Sequence, residues 1–258
     1  MAGLFDEQAS LYAAARPDHP SSLFSYLASL SPYHGRAWDV GTGSGQAAVP
    51  LQHACRRDNI KFICTRPSLS SEDLENIVGG EGSIDLITVA QAPHWFHLDS
   101  FYVNVKKVLK KKHGVFAAWC YTQPSVCTEI DALLKDFYRE SDPYWDPARK
   151  IVDDGYTSLP FPFEPVQGHD GTGAPFHFEA KKAMTVDTFL TYLESMSVLH
   201  CARSQGIELL HEKRKNAFRM AWDDAIRTAT YPIHLRVGWK KQEQIRFHKY
   251  SKVTSLHL

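Results

Sequence analysis

The segment Asp39-Val-Gly-Thr-Gly-Ser-Gly45 puts one carboxylate and three glycines into a single short turn. Glycine adopts left-handed backbone cheaply, lets a ligand approach the main chain, and allows the next helix to pack closely. Asp39, Gly41, Thr42, Gly43 and Gly45 are therefore candidates to hold a ligand. A bare Gly-x-Gly-x-Gly is a weak signal. Here it follows the strand-like Trp38-Asp39-Val40 and opens a run of helical composition, Gln46 to Ala54, as a ligand-binding β-α turn requires. A tight turn with no ligand is the bland alternative. Asp39 narrows the ligand, because a carboxylate repels a pyrophosphate and attracts an ammonium group. That disfavours a nicotinamide dinucleotide and the oxidoreductase it would serve.

A second group, Gln91-Ala92-Pro93-His94-Trp95-Phe96, leaves the carboxyl end of the apolar run Ile84 to Ala90. Ligands of open α/β sheets bind beyond that end of the strands. His94 is the candidate catalytic residue. It could take a proton from a hydroxyl or amine nucleophile, line the site without proton transfer, or be structural. A carboxylate nucleophile is already ionised at neutral pH and needs only positioning. Trp95 and Phe96 read as pocket wall or core. Arg16 has the geometry to bind a substrate carboxylate, or is a surface arginine beside Pro17. The His94/His97 spacing lacks neighbouring metal ligands, so no metal is expected. Cys120 has no acid or histidine partner in sequence and reads as a buried thiol.

The elements that must position these residues alternate. Helices are expected over Leu4 to Ala15 and from Pro20 through Leu30. A strand Arg36 to Val40 feeds the glycine turn, and further strands are expected at Ile60 to Thr65, Ile84 to Ala90 and Gly114 to Tyr121. Helices over Gln46 to Ala54, Ser71 to Val78 and Ser100 to Leu109 lie between them. Nearly continuous apolar strands mark a sheet covered on both faces. The fold class is thus α/β, Rossmann-like, a mostly parallel sheet with helices on both faces. After a helix at Thr128 to Arg139, the aromatic and proline-rich stretch within about 122–180 suits a lid or cap. A strand at Phe176 to Ala180, helices at Val186 to Ser195 and Glu208 to Ala229, and a strand at Ile233 to Val237 follow. The reading is one domain over 1–240 and a disordered tail over 241–258.

The 258 residues are 43% hydrophobic, enough for one large core. Lysine plus arginine (29) equals aspartate plus glutamate (29), which argues against nucleic acid or an anionic membrane as partner. The five cysteines show no Cys-x-x-Cys spacing, and no signal peptide or membrane span is visible. A cytoplasmic protein acting on a small molecule is expected; the oligomeric state is not legible.

With these pieces in place, the chain resembles the class I S-adenosylmethionine-dependent methyltransferases, specifically the trans-aconitate methyltransferase-like group. The resemblance rests on Leu4-Phe5-Asp6-Glu7-Gln8-Ala9 with Tyr12 and Ala15-Arg16-Pro17, and on Trp38 to Ala47. Ile84 to Ala92, His94-Trp95-Phe96 and Leu159-Pro-Phe-Pro-Phe163 complete it. It implies contact of S-adenosyl-L-methionine with Asp39, the glycine turn, Gln91 and Ala92. It also implies that Tyr12 and Arg16 lie near the site entrance, with a small-molecule acceptor between. One departure stands out. In this fold a second strand ends in an acidic residue that binds the ribose. Here only Leu51 to Asn59 separates the first helix from the Ile60 to Thr65 run, so that strand is missing. Asp58 and Glu72 are weak substitutes. The alternative is a non-catalytic or impaired methyltransferase-like protein.

Overall fold

The computed structural model describes residues 15–56, 61–64, 69–166 and 176–241. Its strands are β1 (Ala37–Asp39), β2 (Leu86–Ala90), β3 (Val115–Tyr121), β4 (Glu164–Pro165), β5 (Phe176–Met184) and β6 (Arg227–Trp239). The main helices are α1 (Ser21–Leu30), α2 (Ala48–Ala54), α3 (Leu98–Val108), α4 (Thr128–Ser141), α5 (Val186–Glu194), α6 (Ser197–Arg203) and α7 (Glu212–Trp222). One mixed sheet runs β1-β2-β3-β6, with β4 and β5 both paired to β6. The parallel pairing expected of the sheet holds across β1, β2 and β3, and the later strands are antiparallel.

Side chains alternate across β3 as a strand dictates. Val115, Ala117, Trp119 and Tyr121 join a core with α1, α4, α5 and α7. Phe116, Ala118 and Cys120 face the opposite core, built on α3 and on Tyr156 and Phe163. The aromatic stretch therefore splits. Trp145 lies against the first core, whereas Phe163 stacks on Phe116 of the second at 4.6 Å. The chain between them crosses the carboxyl ends of the strands.

Several expectations are corrected. Residues 61–64, the described part of the expected Ile60 to Thr65 strand, are irregular, and Phe62 is 55% exposed. An exposed apolar run has no second face to cover, so the β-type composition alone does not make a strand. Among the described residues β1 consequently pairs with β2 alone. The helix expected over Glu208 to Ala229 spans only α7, which ends where Asp223 turns left-handed at φ 56°. Ala229, Tyr231, Ile233, Leu235 and Val237 then bury at every second position, which is strand periodicity, and β6 is correspondingly longer than expected. Helix α6 went unread. The Leu4 to Ala15 helix, apart from Ala15, lies outside the described residues, as do Tyr12, Asp58 and positions 242–258 of the expected tail.

One buried carboxylate fixes the start of the sheet. Asp85, 2% exposed, accepts from the Gly35 N–H at 3.1 Å, the Arg36 N–H at 2.9 Å and Lys110 Nζ at 2.6 Å. It ties the approach to β1 onto β2, and so sets where Asp39 emerges. Among the described residues no helix is long and apolar enough to cross a membrane.

Candidate functional site

The register pairs Asp39 with Thr88 and Ala90 with Trp119, so β1, β2 and β3 end side by side. The first half of the site is the turn after β1. Gly41, Gly43 and Gly45 all take positive φ, at 70°, 54° and 86°. A side chain at Gly41 would collide with Ala92, 2.9 Å away, and one at Gly43 would meet nothing within 4 Å. Gly41 is thus needed for packing, while the backbone at Gly43 faces open space. The Thr88 hydroxyl donates to Asp39 Oδ1 at 2.7 Å. Asp39 Oδ2 and the Thr42 hydroxyl are buried and make no hydrogen bond of good geometry, although the Thr42 hydroxyl lies close enough to the carboxyl to lower its pKa. Burial pushes the Asp39 carboxyl up to about 6, against the opposing pull of the Thr88 and Thr42 hydroxyls.

The second half is a pocket at the ends of β2 and β3. Arg16, Gln91, His94, Trp95, Tyr121, Tyr138, Trp145, Arg149 and Tyr192 line it. Arg16 donates from Nη1 to the Tyr121 hydroxyl at 3.1 Å and from Nη2 to the Ser195 carbonyl at 2.8 Å, and lies over the Tyr192 ring. These contacts aim the guanidinium and lock its rotamer, which lowers the entropic cost of any hydrogen bond it makes. The pocket also contains Arg149, which no sequence pattern singled out. Its guanidinium stacks on Trp145 at 3.8 Å, while its Nε donates to Asp153 at 2.8 Å. Only Asp146-Pro147, which caps its short 3₁₀ turn, hints at local order there.

The structure sorts the remaining expected residues. Gln91 stands in left-handed backbone at φ 55°. Its carboxamide donates to the Tyr121 carbonyl at 3.2 Å and accepts from the Tyr121 N–H at 2.9 Å. That amide bridges the ends of β2 and β3 like an extra ladder pair. Ala92 is buried against Gly41, and Phe96 packs on Gly41 and Phe101, on the turn side and outside the pocket lining. Trp95 lies beside His94, ring centroids 4.7 Å apart. His94 Nδ1 is 3.3 Å from the Tyr156 hydroxyl. Burial first, and Arg149 second, lower the His94 pKa to about 4, against an opposing pull from Asp146. His94 is therefore neutral at pH 7. Cys120 is buried, and burial pushes its thiol far above the ordinary range, consistent with an inert packing role. No cluster of three or more metal-ligating side chains occurs among the described residues. Glu72 sits exposed in a first helical turn, as its sequence context suggested.

No family model matches the sequence. A Dictyostelium discoideum protein named "Putative methyltransferase" is 34% identical over 175 residues, covering 59% of this chain and 64% of its own length. A Saccharomyces cerevisiae protein named "Probable S-adenosylmethionine-dependent methyltransferase" is 26% identical over 147 residues, covering 47% of this chain and 48% of its own. The chain thus spans less than two thirds of the curated relatives it matches. Among solved structures, one titled as a putative type II methyltransferase from Anaeromyxobacter dehalogenans superposes with a TM-score of 0.71 at 28% identity. That match covers 87% of this chain and 98% of the other. The chain has the Rossmann-like class I methyltransferase fold and is related in sequence to proteins named as methyltransferases.

Proposed function

We propose that this protein transfers a methyl group from S-adenosylmethionine to a small carboxylic acid, as a member of the trans-aconitate methyltransferase-like group. One observation carries the donor assignment: a buried carboxylate oxygen and a buried hydroxyl, on Asp39 and Thr42, make no well-formed hydrogen bond beside a glycine backbone that faces open space. Stranded polar atoms cost free energy unless a ligand satisfies them. An ammonium group and neighbouring hydroxyls fit this pair, and a phosphate does not. When bound, S-adenosylmethionine supplies a methyl carbon made electrophilic by its sulfonium.

This chain's own residues would then bind and align. Asp39, Thr42 and the backbone of Gly41 to Gly45 would hold the donor. Arg16, held by Tyr121 and Ser195, would bind the acid, and Arg149 adds a second positive charge to the same pocket. The aromatic walls of Trp95, Tyr121, Trp145 and Tyr192 would exclude water and restrict the acceptor to one approach. The non-catalytic alternative is not favoured, since the turn, the carboxylate and an ordered pocket are all present.

The test is incubation with methyl-labelled S-adenosylmethionine and a panel of short mono- and dicarboxylic acids. The expected product is a base-labile methyl ester. Arg16→Gln should raise KM for the acid about 10- to 100-fold, the worth of charge-assisted hydrogen bonds, with donor affinity unchanged. Label transferred to no acid would overturn the acceptor assignment.

A further inference from the structure

His94 can serve the pocket in two opposite ways, and a residue outside the pocket lining decides between them. Tyr156 is 0% exposed and stands in left-handed backbone at φ 63°. Its N–H donates to the Ile151 carbonyl at 2.9 Å, and its carbonyl accepts from Arg236 Nη1 at 2.8 Å. The backbone is therefore pinned, and the hydroxyl points at His94 Nδ1, 3.3 Å away, its sole hydrogen-bond partner among the described residues. Burial pushes the phenol far above its usual range, so it keeps its hydrogen. A buried O–H must place that hydrogen on an acceptor. Donation to Nδ1 achieves this. The reverse arrangement, with Nδ1–H donating, strands the phenol hydrogen in the core.

We propose that Tyr156 is a positioning residue that locks His94 in the Nε2–H tautomer, making His94 a hydrogen-bond donor to the acceptor rather than a base. The proposal deepens, and rests on, the methyl-transfer reading. The charged and titratable groups facing the imidazole agree with it. Arg149 opposes a second proton on the ring and Asp146, which also lines the pocket, favours one, while Arg16, Tyr121, Tyr138 and Tyr192 complete the titratable lining.

The consequence is a substrate class. A carboxylate oxygen forms the new O–C bond with its own lone pair, the S–C bond breaks with its pair left on sulfur, and no proton moves. The two opposite charges cancel. A hydroxyl or amine acceptor must lose a proton for each methyl gained, and a histidine locked as a donor cannot take it. An N–H at this place holds the carboxylate from one side while the arginines hold it from the other.

The tautomer is readable without any substrate. In the full chain labelled with ¹⁵N, two-bond ¹H–¹⁵N correlations at pH 7 should show His94 neutral with the proton on Nε2. Tyr156→Phe should leave the fold intact and give a mixture of tautomers. A charged ring, an Nδ1–H ring, or a tautomer indifferent to Tyr156→Phe would overturn the proposal, whatever the protein methylates. In the labelled-acid assay, His94→Gln, whose amide can still donate, should retain activity within about tenfold, whereas His94→Ala should lose more. With the donor saturating, the rate should be flat from pH 6 to 8. If His94 were a base, both variants would lose an equal ~10²- to 10⁴-fold. Failure of every acid to accept label would overturn the carboxylate acceptor; the tautomer measurement would still stand on its own.

Discussion

Asp39→Asn separates the binding role of this carboxylate from its cost to the fold. The carboxyl rises from an ordinary 3.8 to about 6 because burial strips its water, and the Thr88 and Thr42 hydroxyls offset only part of that cost. At about 1.36 kcal/mol per pH unit, that difference amounts to roughly 3 kcal/mol of destabilisation. Its pH window follows from the direction of the shift. Below 3.8 both folded and unfolded states are protonated and the penalty is absent. It grows as pH rises toward 6, where only the unfolded state is ionised, and is full above that. Asparagine keeps an oxygen for Thr88 and carries no charge. Urea denaturation of wild type and variant at pH 4 and pH 7.5, without ligand, isolates the effect, since the packing cost of the amide is common to both conditions and cancels. The variant should gain about 2–3 kcal/mol relative to wild type between the two pH values. A difference between the two proteins that is the same at both pH values would show that the carboxylate is solvated or paired, and the stranded-oxygen argument would fail.

Asp85→Ala should cost about 3 kcal/mol or more, because it orphans two backbone N–H groups at the entry to β1 as well as Lys110, and thermal melts will show it. The two exposed glycines of the turn should differ. Gly41→Ala brings a methyl to 2.9 Å from Ala92 and should lower stability by about 1–3 kcal/mol. Gly43→Ala has room, so it should cost only about 1 kcal/mol of backbone strain and show its main effect in weakened donor binding by calorimetry.

The parts of this molecule governed by local rules were legible. The glycine turn, the buried strands β2 and β3, and the helix start at Thr128 each follow from spacing and composition. Arg16, which its sequence context marked, lines the pocket at the ends of β2 and β3. What sequence could not give was decided by long-range contact. Gln91 lines the pocket, yet its amide serves the Tyr121 backbone, 30 residues away. Phe96 turned toward Gly41 because only a glycine leaves room there. Arg149 and Tyr156 come from a segment of short helical turns, too brief to leave a period to read. The Thr228 to Val237 run was divided wrongly between helix and strand because its alternation is clear only once β3 and β5 are known to flank it.

The central claim is that the turn after β1 binds the donor even though β1 has one neighbouring strand among the described residues. Isothermal titration of S-adenosylhomocysteine into the 258-residue chain tests it most directly. The account predicts saturable one-to-one heat that disappears in Asp39→Asn. No heat at high micromolar ligand, from a protein that melts cooperatively, would contradict it.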